Sequence, residues 1–148
     1  MDRIYMDNSA APAVSPEVLQ TMLPYFSEMY GNPSSIHSTG RDARRAVDAA
    51  RKQVAQAIGA QPTEIYFTAG GSESDNWAIK GTAFAKRDKG NHIITTAIEH
   101  AAVLEPIREL EEQGYEVTRL RPDRTGHIDP EELSAALRPD TVLVSVML

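Results

Sequence analysis

The chain has 148 residues, 41% hydrophobic and 24% charged, a balance that fits a soluble globular domain with length enough for a real core. Fifteen basic against twenty-one acidic residues give a formal charge of -6, which argues against nonspecific binding to nucleic acid or to an anionic membrane surface. The absence of cysteine excludes disulfides, thiolate metal sites and a cysteine nucleophile within these residues.

The N-terminus, MDRIYMDNSA, lacks the apolar core of a signal peptide, and no stretch reaches the roughly 20 apolar residues of a membrane span, so a cytoplasmic location is expected. After a short strand candidate, RIYM, the segment SPEVLQTMLPYFSEMYG reads as a helix. Ser15 caps it and Pro16 opens it; Val18, Leu19, Met22, Leu23 and Phe26 mark one face, and Pro24 should kink it. GNPSSIHSTG (31–40) is dense in turn formers and reads as a loop. The next helix is expected from about Arg41 to Ile58, with Ala43, Ala46, Val47, Ala50, Val54 and Ile58 at 3- and 4-residue intervals.

From there strands and helices alternate. Strands are expected at EIYFT (64–68), HIITTAI (92–98), YEVTRLR and TVLVSVML, the last apolar enough for burial on both faces. Helices are expected from Ser72 to about Lys86, from about Ala101 to Gln113, and over DPEELSAAL with Asp129 as cap. This order implies an α/β fold, a mostly parallel sheet with flanking helices. Residues 1–40 form an N-terminal helical segment and 41–148 an α/β domain. Because the last strand is the most apolar and no helix follows it, the domain is expected to be the front part of a larger one. The alternative is an edge strand that ends naturally.

Ligands of open parallel sheets bind beyond the carboxyl ends of the strands, where two segments stand out. FTAGGSESDN (67–76) places Gly70 and Gly71 before a helix start, where glycines admit a close backbone approach and free N–H groups and the helix dipole favour an anion. The spacing matches neither G-x-x-x-x-G-K-[ST] nor G-x-G-x-x-G. Ser72 and Asp75 also form S-x-x-D, a capping box, and that reading stays open, though it leaves two glycines unaccounted for. The second segment is Glu99-His100. An imidazole there can stack on a flat heteroaromatic ring or exchange a proton near neutral pH; otherwise it is a polar residue at a helix start. The four histidines, His37, His92, His100 and His127, are scattered, so no metal site is expected.

IYMDNSA, GNPSSIH, EIYFTAGGSESDNWAIKG, HIITTAIEHAAVL and DTVLVSVM stand in the order, and nearly at the spacing, of the NifS-like cysteine desulfurases. The whole chain resembles roughly the first third or more of such an enzyme. That family belongs to the class V aminotransferases, which are pyridoxal-phosphate enzymes of the aspartate-aminotransferase fold. The resemblance implies that Gly71 and Ser72 hold the cofactor phosphate and that His100 stacks on the pyridine ring and assists proton transfer. It puts Asn32 and Ser34, in the loop of Asn32, Pro33, Ser34 and Ser35, near the substrate; a plain Asn-Pro turn is the other reading. Ala11 and Pro12 stand where the family often has two threonines.

The implied reaction takes sulfur from L-cysteine, giving L-alanine and an enzyme persulfide for iron–sulfur cluster or thiolation pathways. The implied partners are L-cysteine, a sulfur-acceptor or scaffold protein, and a second copy in a homodimer. None of Lys52, Lys80, Lys86 and Lys89 matches the family's Schiff-base lysine, and the nucleophilic cysteine is lacking too, so these residues alone are expected to be inactive. A selenocysteine lyase, another pyridoxal-phosphate lyase of the same fold, and a catalytically dead remnant are the alternatives.

Overall fold

The computed structural model describes residues 4–147, which fall into two compact units, 4–66 and 67–147. In the first, Ser15 caps α1 (Pro16–Met22) by accepting the Val18 N–H. Pro24 has no N–H to continue the ladder, so the helix stops and resumes as the single turn α2 (Pro24–Ser27). Neither helix has a buried residue, and Val18, Leu19, Met22, Leu23 and Phe26 all stay exposed.

The long helix α3 (Ser38–Ile58) starts three residues before the expected Arg41 because His37 caps it, its Nδ1 accepting the Gly40 N–H at 3.3 Å. Gly59 ends it in the left-handed region, φ 69°. The expected strand candidate RIYM is not formed over its described part, Ile4–Met6.

EIYFT is not a strand either. Glu64 closes a 3-10 turn (Pro62–Glu64), its carboxylate accepting the Gln61 N–H at 2.7 Å. Ile65 is extended (φ -101°, ψ 125°), but no strand lies beside it among the described residues. Extended backbone becomes a strand only with a ladder partner, and local sequence does not supply one.

The second unit is a three-stranded parallel sheet with strand order β2-β1-β3. Its strands are β1 (His92–Thr96), β2 (Glu116–Leu120) and β3 (Thr141–Val144). Helix α4 (Gly71–Ala85) precedes β1, α5 (Ala101–Glu112) joins β1 to β2, and α6 (Pro130–Ala136), capped by Asp129, joins β2 to β3. Central β1 is buried at every residue. Its Ile93 meets Ile79 and Ala83 of α4, Ile107 and Leu110 of α5, and Tyr115, in a cluster where the fully buried Ile93, Ile107 and Leu110 each contribute about 1.5–3 kcal/mol.

β3 differs from expectation. It is half-buried, with Val144 exposed, because it has a neighbour on one side only among the described residues. No helix of the described residues is long and apolar enough to cross a membrane.

Candidate functional site

Helices α4 and α5 bring the two singled-out loops to one rim of the sheet. α4 runs into the start of β1 and α5 runs from its end, so both lie antiparallel to the strands and side by side. Two contacts fix their alignment. The Tyr115 hydroxyl, just ahead of β2, donates to Ala83 O at 2.8 Å, which seats the end of α4 at the amino rim of the sheet. Lys80 Nζ reaches Glu109 Oε2 at 2.5 Å. At a 1.5 Å rise per residue these two lie about 13 and 12 Å from the starts of their helices, so both N-termini end at nearly the same height. The loops therefore lie level at the carboxyl rim through packed helices, not through the adjacent strands expected from the sequence.

The start of α4 is not built as the capping box S-x-x-D implies. Gly70 is the N-cap, no side chain caps the helix, and Ser72 lies inside the first turn. The loop is braced from behind instead. Thr68 Oγ1 donates to Gly70 O at 3.2 Å and pairs with Ser74 Oγ at 2.7 Å, and the Glu73 carboxylate takes the Ala69 N–H at 2.6 Å. These bonds fix the backbone while the first-turn N–H groups stay uncapped.

The glycine pair answers no internal need. Gly70 has φ 167°, extended backbone open to any residue, and a Cβ on Gly70 or Gly71 would meet nothing within 4 Å. The chain leaves empty space there, as a bulky anion held by backbone N–H groups requires. Glu73 is the one acid of that turn, and its carboxylate is engaged with the Ala69 amide.

His100 is the N-cap of α5, its Nδ1 accepting the Ala102 N–H at 3.0 Å. An acceptor nitrogen carries no proton, so the neutral ring holds its hydrogen on Nε2. The cap and the exposed ring coexist: one nitrogen orients the side chain and the other stays open to a ligand. Strand β1 ends, four residues before His100, in two consecutive buried threonines whose side chains point to opposite faces of the sheet. Thr96 Oγ1 donates to the buried Glu99 at 3.2 Å, whereas Thr95 Oγ1 has no partner among the described residues.

Asn32 and Ser34 belong to the first unit. Asn32 Oδ1 accepts the Ser34 N–H at 2.9 Å, closing its own turn, and Asn32 O accepts the Ser35 N–H. Sequence reasoning singled out Glu99 only as the neighbour of His100 and missed Thr68, Glu73, Ser74 and Thr96, which with it shape the rim. A glutamate three residues after Gly70 was a readable signal for Glu73; the side-chain pairings of the others were not.

The aminotransferase class-V family model matches residues 4–148. The chain belongs to the class-V aminotransferases. Among curated relatives, cysteine desulfurase IscS of Methanosarcina thermophila is 57% identical over 97% of this chain and 36% of its own length. Cysteine desulfurase IscS of Dictyoglomus turgidum is 52% identical with the same coverage. A solved NifS-like protein superposes with a TM-score of 0.94 at 40% identity, over 99% of this chain and 40% of that one. SspA in complex with cysteine superposes at 0.89 and 41% identity, over 96% and 41%. This class-V aminotransferase chain thus spans about two fifths of its relatives or less, matching their N-terminal part.

Proposed function

We propose that the protein carrying this chain is a pyridoxal-phosphate-dependent cysteine desulfurase and that residues 67–147 hold the cofactor's phosphate and ring. The observation that carries this reading is the shared rim, where an uncapped helix start behind an open glycine pair lies level with the exposed imidazole of His100. The names of the relatives support it, as does the cysteine in the SspA complex. The residues present fit the group: open space over Gly70 and Gly71 for a phosphate, and an aromatic ring for a planar heterocycle.

In this reading the N–H groups of Gly71 and Ser72 and the Ser72 hydroxyl would hold the phosphate, at the positive end of the α4 dipole. His100 would hold the pyridine ring, its own ring kept in orientation by its bond to Ala102, with its exchangeable proton on Nε2. Bound pyridoxal phosphate supplies an electron sink that weakens bonds at the α and β carbons of an amino acid. The substrate is L-cysteine and the products are L-alanine and a protein persulfide. With no cysteine in these residues, the accepting thiol and the pyridoxal-binding lysine belong to the part of the relatives that this chain does not match. The working protein is a cytoplasmic homodimer, and a sulfur-acceptor or scaffold protein receives the sulfur.

The test is alanine formation from L-cysteine and from L-selenocysteine by the whole protein. Turnover of cysteine, cut on the order of a hundredfold or more by His100→Ala with cofactor phosphate still bound, is expected. Normal turnover by that variant would remove His100 from the chemistry. Turnover of selenocysteine alone would make the protein a selenocysteine lyase.

A further inference from the structure

The loop between β1 and α5, residues 97–100, is held at three points. Ala97 N–H donates to Leu120 O at 2.9 Å, Thr96 Oγ1 donates to Glu99 Oε1 at 3.2 Å, and Ala102 N–H donates to His100 Nδ1 at 3.0 Å. The first and last are the usual anchors of a strand end and a helix cap. The middle one is costly. Glu99 is 9% exposed while Ala97, Ile98 and His100 around it are exposed, so the loop turns its one charged side chain inward and leaves Ile98 in water. No cation pairs with Glu99 among the described residues, and its side-chain partner there is one hydroxyl. Burying a carboxylate on a single hydroxyl costs more than burying an apolar residue of that size. The position offsets part of this, since Glu99 directly precedes the α5 N-cap, at the positive end of the helix dipole.

We propose that Glu99 is a positioning residue for His100: clasped by Thr96, it fixes the turn in which His100 Nδ1 takes the Ala102 N–H, so that the exchangeable proton is kept on Nε2 at the rim. The purpose of the device rests on the proposed pyridoxal-phosphate chemistry; its existence does not. Pinning the residue before the cap fixes where the imidazole starts, and the Ala102 bond fixes how it is turned.

The experiment uses the full chain with no pyridoxal phosphate added, reading the imidazole nitrogen signals of His100 and the hydrogen exchange of the Ala102 amide. Glu99→Ala is expected to speed Ala102 exchange on the order of tenfold and to mix the Nδ1–H and Nε2–H tautomers. Glu99→Gln is expected to restore both, because its amide oxygen accepts the same bond from Thr96. A general weakening of the fold would move neither the tautomer nor its rescue by glutamine. If Glu99→Ala also loses protection across β1 and β2, Thr96→Val decides, having nearly the same shape without the hydroxyl; the same local change is expected there, with Thr96→Ser restoring it. An unchanged tautomer and unchanged Ala102 exchange in the deciding variant overturn the proposal, as does Glu99→Gln behaving like Glu99→Ala. Adding pyridoxal phosphate afterwards tests the functional reading separately, by whether His100 signals shift.

Discussion

The two rims of the sheet are built from the same residue types and treat them in opposite ways. At the amino rim His92 is fully buried, with Nδ1 on Thr141 Oγ1 at 2.7 Å and Nε2 on Thr118 Oγ1 at 2.9 Å, a hydroxyl from each neighbouring strand. Arg138 bridges Asp140 and Glu116 there, and its amide donates to Thr141. Gly90 lies against Asp140 so closely that a Cβ would sit 2.1 Å from its carbonyl oxygen. At the carboxyl rim, His100 commits one nitrogen, Ser72 caps nothing, and Gly70 and Gly71 face open space. A polar group with every partner taken holds strands together; one with a donor left over is free for a ligand. Histidine and glycine are therefore informative here through their partners, not their identity.

Paired substitutions would break or sharpen that contrast. Gly90→Ala should be the most damaging, costing about 3 kcal/mol by urea denaturation, since backbone braced by the Arg138–Asp140 pair has to move. His92→Leu should cost about 2 kcal/mol because Thr118 loses its hydroxyl partner and Thr141 keeps only the Arg138 amide, whereas His100→Leu, which loses an exposed cap, should cost about 1 kcal/mol. Equal losses at the two histidines would erase the distinction between the rims.

The pH dependence follows from His92. Burial first, then the Arg138 guanidinium, hold its imidazole below the ordinary 6.5, while Asp140 and Glu116 pull it partly back. The folded state then takes up a proton less readily than the unfolded chain. Its contribution is fully present above about pH 6.5 and is lost as pH falls toward the lowered folded value, with a slope of at most about 1.4 kcal/mol per pH unit. Denaturation midpoints should fall between pH 7 and 5, and His92→Leu should flatten that part of the curve. The smallest effect belongs to Gly71→Ala, expected to change stability by less than about 0.5 kcal/mol while weakening phosphate binding.

Much of this was legible in the sequence where the cause is local. Ser15, Pro16, Pro24, Gly114 and Asp129 mark helix starts and stops because caps and proline act within a few residues. EIYFT misled because its composition suits a strand but its partner, if any, is a long-range matter. S-x-x-D misled because Gly70 takes the cap position and Thr68 and Ser74 brace the loop from behind. The family resemblance pointed to Gly71, Ser72 and His100; the clasp between Thr96 and Glu99 is a contact between two side chains and has no spacing signature of its own.

The most direct measurement is a titration of the chain with pyridoxal phosphate, following the amides of Gly70 to Glu73 and the ring of His100 by nuclear magnetic resonance. One ligand spanning one rim should shift both groups together, with a single half-saturation point, and inorganic phosphate should compete. Shifts at only one of the two groups, or two separate half-saturation points, would contradict a single site.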